Sequence, residues 1–172
     1  FLYDGRTHVS VATFTGMADR TITIGGYSKT FSITGWRIGY SVAAARWAQA
    51  IGAMNDLLYV CAPTPLQAGV AVGIQDLPDS FYRDLARDYQ QKRDRFCLAL
   101  TKAGLTPSIP QGAYYVLADA SRLPGTAGKE RAMFLLETIG LAGVPGEAFF
   151  SGADGRQFIR FSYAKIDSDI DD

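Results

Sequence analysis

Three cationic side chains stand out by type and position. Lys29 and Arg37 lie eight positions apart in the stretch TITIGGYSKTFSITGWRIGYSV, residues 21–42. Between and around them are small and hydroxylated residues: Ser28, Thr30, Ser32, Thr34 and Gly35. The third, Arg160, interrupts the otherwise apolar run QFIRFSYA, residues 157–164. An arginine buried in a strand without a partner is costly, so Arg160 is expected to face solvent or an anion. A lysine amine can bond an aldehyde as a Schiff base, and an arginine fork can grip a phosphate or carboxylate.

Three chemistries compete for the loop that carries Lys29. Lys29-Thr30 mimics the end of a nucleotide-binding phosphate loop, but that loop needs glycine immediately before the lysine, and Ser28 stands there. A lysine and an arginine on a solvated loop with no chemistry is the second reading. The third is a Schiff-base site for pyridoxal phosphate, with the amine on the aldehyde and the arginine on the phosphate. The residue types alone leave the last two open.

The run GYSKTFSITGWRIG, fourteen consecutive positions from 26 to 39, resembles the pyridoxal-phosphate attachment signature of the class I/II aminotransferases. The resemblance implies that Lys29 is the Schiff-base lysine and Arg37 a phosphate ligand. Many relatives carry a further serine three positions before the lysine. Gly26 stands there in this chain, and Ser28 or backbone N–H groups are expected to make that bond instead. The run QFIRFSYA resembles the last strand of the small domain in that family, whose arginine grips the substrate α-carboxylate by two parallel hydrogen bonds, and this implies that role for Arg160. GAYYVLAD, residues 112–119, resembles the family's strand whose aromatic side faces the active-site cleft, which makes Tyr114 a candidate substrate contact. Read as a strand, the same run points Tyr114 and Tyr115 to opposite faces, with at least one of them in the core.

The fold implied is α/β: the C-terminal part of a fold type I transferase, made of the end of the large-domain mixed sheet with its helices and an α+β small domain. The expected division is residues 1–77 and 78–172, with a long helix bridging into the second part. The family's glycine-rich cofactor loop, its asparagine-proline motif and the aspartate that pairs with the pyridine nitrogen would all precede Phe1. The chain therefore reads as a C-terminal half, inactive in isolation and a homodimer when full length. The implied activity is amino transfer between an L-amino acid and a 2-oxo acid by a ping-pong route, with the Lys29 amine moving the proton. A carbon-sulfur lyase of the same fold and a noncatalytic aminotransferase-like domain of a regulator are the alternatives. Holding Lys29, Arg37 and Arg160 together speaks against a relic, because a structural scaffold has no use for that combination.

The elements that must position these residues are read from periodicity and punctuation. Residues 21–24 alternate β-branched side chains as a strand does, Gly25-Gly26 end or bend it, and residues 36–42 begin a second apolar run. His8 and its neighbours up to residue 18 read as a connection with one helical turn. Trp47, Ile51, Met54 and Leu58 fall on one face of a helix over residues 45–59, a stripe expected to pack. Pro65 suits the first turn of the next helix, where Leu66, Val70 and Ile74 form an apolar face. The small residues Ala68, Gly69, Ala71 and Gly73 suggest the close approach of another backbone there. Asp79 or Ser80 caps a long helix that ends at Gly104, and its many alternating charges read as a solvated, ion-paired face. Residues 106–112 read as a loop or edge segment, 113–118 as a strand, 128–140 as a helix and 157–164 as the final strand. The acidic run 167–172 resembles the first turn of a terminal helix.

With 48% hydrophobic and 20% charged residues, the chain is expected to bury a core. Lysine plus arginine equals aspartate plus glutamate at 17 each, so no bulk field points to nucleic acid or an anionic membrane. No apolar run has membrane length and no signal-peptide pattern opens the sequence, which makes the cytoplasm the expected location. Cys61 and Cys97 lack partners at metal spacing and read as free, buried thiols, and the lone His8 reads as structural. No metal site is expected.

Overall fold

The computed structural model describes residues 1–171, so Asp172, the end of the acidic run, lies outside the described residues. Two compact units divide the chain: residues 7–82, and residues 1–6 together with 83–172. This differs from the division expected at 77/78. Phe81 and Tyr82 belong with the first unit because their rings lie 6.3 and 6.4 Å from that of Phe31.

In the first unit, two single 3-10 turns (Val11–Thr13 and Ala18–Arg20) stand where one helical turn was expected. Strand β1 (Thr23–Gly26) then pairs antiparallel with β2 (Gly39–Val42), with Thr23 opposite Val42 and Gly26 opposite Gly39. β1 therefore includes Gly25-Gly26 and ends there, at the pair the sequence reading took to end or bend it. Glycine is tolerated because the two backbones come close: a Cβ on Gly39 would lie 2.9 Å from the Gly25 carbonyl oxygen. Helix α1 (Ala45–Tyr59) follows and ends at Val60, whose backbone is held at φ 67°. Its apolar stripe was expected to pack, yet none of its residues is buried, and Leu58 is 79% exposed. Amphipathic spacing reports that a face is suited to burial, not that its partner lies within the same chain segment.

Helix α2 (Thr64–Asp76) has Pro65 in its first turn and buries Val70. Its glycines receive aromatic rings rather than another backbone. A Cβ on Gly69 would lie 3.0 Å from the Trp36 ring, and one on Gly73 3.7 Å from that of Phe31. Gly69 and Gly73 are four apart and share a helix face, so α2 seats two of the three aromatic residues of the β1–β2 loop, Trp36 and Phe31, along one line.

Helix α3 (Asp79–Lys102) closes at Gly104, which takes φ +84°. The second unit carries a four-stranded antiparallel sheet in the order β3-β4-β6-β5. Its strands are β3 (Thr106–Ser108), β4 (Tyr115–Asp119), β5 (Val144–Pro145) and β6 (Phe158–Ser162). Helix α4 (Gly128–Ile139) ends at a left-handed Gly140, and α5 (Asp167–Asp171) is a single short helix. Burial alternates along β4 and β6 as the pleat requires. Val116, Ala118, Ile159 and Phe161 turn inward to a core completed by Cys97 and Leu100 of α3 and Ala132 and Leu135 of α4. Tyr115, Leu117, Arg160 and Ser162 are left on the other face, half-buried. The sequence reading placed both thiols inside; Cys97 is buried, but Cys61 is exposed just after α1.

The N-terminal hexapeptide is sewn into this second unit. Tyr3 N–H donates to Gln111 O at 3.1 Å and Ala113 N–H to Phe1 O at 3.0 Å. The Tyr3 and Tyr163 hydroxyls both donate to Ala113 O. Arg93 is only 3% exposed and grips Asp4 with both terminal nitrogens, at 2.7 and 2.8 Å. The charged flank of α3 was read as solvated, and Arg93 departs from that because Asp4, Asp94 and the carbonyl of Pro110 satisfy its donors. Among the described residues, no helix is long and apolar enough to cross a membrane.

Candidate active site

The loop between β1 and β2 is wound tightly by its own backbone. Phe31 N–H donates to Tyr27 O at 3.1 Å, Ile33 N–H to Ser28 O at 3.0 Å and Trp36 N–H to Ile33 O at 2.9 Å, the last opening a 3-10 turn over Thr34–Trp36. Arg37 closes that turn in the left-handed region, φ 58° and ψ 40°. A non-glycine residue there is held against a conformational cost and marks a place where the fold fixes a side chain. Ile38, the next residue, is buried and roots the turn.

The consequence is that Lys29 and Arg37 converge on one residue. Lys29 Nζ donates to the Thr34 hydroxyl at 3.3 Å, and Arg37 Nη1 donates to the Thr34 carbonyl at 2.9 Å. The Thr34 hydroxyl in turn reaches Ser28 O at 3.3 Å. Ser28 is half-buried, while Lys29, Thr34 and Arg37 are exposed. Thr34 is the residue that sequence reasoning missed, because a threonine among several hydroxyls carries no signal of which one the two cations share.

The donor set fits pyridoxal phosphate. A primary amine is present for the aldehyde, and among the described residues Arg37 has no ion-pair partner, so its guanidinium is available to a dianionic phosphate.

Arg160 belongs to the second unit, on the half-buried face of the sheet. β6 places it opposite Leu117, and the diagonal neighbour Tyr115 lies across it, with the guanidinium carbon 4.1 Å from the Tyr115 ring centroid. Phe149, delivered by the 3-10 turn Gly146–Ala148, lies 4.3 Å away. Arg160 Nε is buried with no hydrogen-bond partner, and a cavity of about 150 Å³ lined by Tyr115, Gly143, Val144 and Ser162 opens beside it. An arginine set against two rings with a buried, unpartnered Nε–H is suited to a carboxylate, which takes two parallel N–H bonds in the guanidinium plane. Tyr114 packs against the core and makes an edge-on contact with Phe1 at 6.4 Å. The two tyrosines do not point to opposite faces as the strand reading expected: their ring centroids lie 4.2 Å apart and the Tyr115 hydroxyl donates to that of Tyr114 at 3.1 Å. Ala113, in the left-handed region at φ 64°, precedes the pair, and the strand begins only at Tyr115.

Comparison with known proteins gives one consistent answer. A family model, aminotransferase class I and II, matches residues 1–171. The chain is 36% identical over 188 residues to a kynurenine–oxoglutarate transaminase of Dictyostelium discoideum, covering 96% of this chain and 42% of that protein. It is 33% identical to the human kynurenine–oxoglutarate transaminase 3, covering 99% of this chain and 41% of that one. Among solved structures, N-succinyldiaminopimelate aminotransferase from Mycobacterium tuberculosis superposes with a TM-score of 0.92 at 32% identity, over 99% of this chain and 44% of that one. The chain thus spans about two-fifths of the length of the curated relatives it matches. Its mixed α/β fold is shared with these enzymes throughout, and the chain belongs to the class I and II aminotransferases.

Proposed function

We propose that the whole protein to which this chain belongs is a pyridoxal-phosphate-dependent aminotransferase. The observation that carries the reading is the convergence of Lys29 and Arg37 on Thr34 in a chain of this family. Lys29 is the attachment point for the cofactor aldehyde, and Arg37, with Ser28 beside the lysine, holds the phosphate. When bound, pyridoxal phosphate supplies an electron sink that makes the Cα–H of an amino acid labile. Lys29 contributes its amine, steadied by the Thr34 hydroxyl, as the group that takes and returns that proton. Arg160 binds the α-carboxylate, for which its planar fork of N–H donors is suited.

The substrates are an L-amino acid and a 2-oxo acid, and the names of the relatives make kynurenine and oxoglutarate the first pair to assay. Reduction of the cofactor-loaded whole protein with borohydride, followed by peptide mass spectrometry, is expected to find the adduct on Lys29. Lys29→Ala is expected to lower kcat by about 10²–10⁴-fold. An adduct on another lysine, with Lys29 unmodified, rejects the assignment.

A further inference from the structure

The Arg160 site is built from more than the arginine itself. Its guanidinium carbon lies over two aromatic rings, 4.1 Å from Tyr115 and 4.3 Å from Phe149, and these come from separate parts of the chain. Tyr115 reaches it diagonally across the β4–β6 ladder. Phe149 is set by the hydrogen bond from its own N–H to Gly146 O at 2.8 Å, at the end of the 3-10 turn. In both contacts the cation lies over the π face of a ring, which is not a conventional acceptor for any of its five N–H donors. Among the described residues no carboxylate pairs with Arg160, and its Nε is buried without a partner.

The same chain shows what an arginine looks like when the protein itself completes the edge. Arg93 also stacks on a tyrosine, 4.8 Å from the Tyr3 ring, but its donors are taken by Asp4, Asp94 and Pro110 O. Arg160 has two rings against its guanidinium and a cavity of about 150 Å³ beside it instead. That volume exceeds the roughly 30 Å³ share of a water several times over, which leaves room for a carboxylate and the first atoms attached to it.

The geometry points to Tyr115 and Phe149 as positioning residues that hold the Arg160 plane for the substrate carboxylate. The inference rests on the reading of Arg160 as the carboxylate grip, and goes beyond it by assigning two residues that need not touch substrate. Without the rings, the long arginine side chain regains its rotamers, and binding must restore the order they supplied.

The test uses the cofactor-loaded whole protein with propionate as a probe, its binding followed by NMR titration. Arg160→Gln is the reference and is expected to abolish binding. Tyr115→Leu and Phe149→Leu are each expected to weaken it roughly 3- to 30-fold. Tyr115→Phe and Phe149→Tyr, which keep a ring, are expected to bind as the parent does. In turnover the Leu variants should raise KM for the amino acid while leaving kcat at saturation within about twofold, a split that general loss of structure does not give. If the Leu variants fail to fold, Tyr115→Met and Phe149→Met remove the rings at nearly constant volume and take their place. Parental binding by Arg160→Gln would reject the reading of Arg160 itself. Loss in Arg160→Gln with parental binding in the ring-deleted variants overturns the clamp and leaves that reading standing. Equal loss in Tyr115→Phe and Tyr115→Leu also overturns it, since the hydroxyl and not the ring would then be responsible.

Discussion

At the scale of single residues, Thr34 does the most for its size. Its hydroxyl receives the Lys29 amine and its carbonyl receives Arg37, so one residue sets the spacing of two like charges. Thr34→Val keeps the β-branched shape and the carbonyl but removes the hydroxyl. The loss of one hydrogen bond of about 1 kcal/mol is expected to lower kcat roughly fivefold with little change in KM, and Thr34→Ser is expected to restore most of it, as steady-state kinetics of the whole protein would show. The principal cations were legible in the sequence because each sits in a linear motif: Lys29 and Arg37 within one run, Arg160 as the lone charge in an apolar strand. Thr34, Tyr115 and Phe149 were not. Their importance depends on which atoms meet across a turn or a ladder, and residue type does not encode register. Tyr114 shows the same limit. Two adjacent strand residues are expected to diverge, yet the left-handed turn at Ala113 and the late start of the strand let the two rings meet, and only Tyr115 lies over Arg160.

At the scale of elements, helices read better than strands. The bounds of α1 match the spacing of apolar residues, and α3 starts at Asp79, within a residue or two of the start that the capping residues predict, because a 3.6-residue period persists over several turns. β5 has two residues and offers no period at all. It exists because β6 is there to pair with it, Val144 opposite Arg160. The turn after it is governed by a close backbone approach that sequence cannot show: a Cβ on Gly155 would lie 2.7 Å from the carbonyl carbon of Gly146, and one on Gly146 would strike the carbonyl oxygen of Gly155. Gly146→Ala must move backbone on both sides, and is expected to cost about 1–3 kcal/mol. Because the same turn delivers Phe149, carboxylate affinity is expected to fall along with the unfolding midpoint, which calorimetry and a propionate titration would show together.

At the scale of the molecule, the N-terminal hexapeptide belongs to the unit built from the other end of the chain. Its tie is partly electrostatic. The Arg93 guanidinium beside Asp4 holds that carboxyl below the usual carboxylate range, and the pair raises Arg93 in return. A depressed folded value gives stability that is present above the unfolded value of about 3.9 and lost as pH falls through the folded one. Asp4→Asn is therefore expected to lower the melting temperature at neutral pH and to flatten its fall below about pH 4, in melts taken across that range. The tyrosine pair behind it, Tyr3 and Tyr163, is pushed up by burial and does not contribute to that acid limb. Elsewhere the surface is unusually apolar. α1 buries none of its residues, and Trp47, Met54, Leu57 and Leu58 all stand exposed. The 172-residue chain produced alone is expected to bind a hydrophobic dye such as anilinonaphthalene sulfonate, and the whole protein to bind less of it. A different property follows from the two outermost strands of the four-stranded sheet, Thr106–Ser108 and Val144–Pro145. Each is short and each contains a proline, Pro107 or Pro145, so neither edge offers an unbroken row of N–H groups as a template for another strand. Fibrillar self-assembly through this sheet is blocked at both ends, and a chain that coalesces through its apolar helix should form amorphous, redissolvable material instead of ordered cross-β fibres.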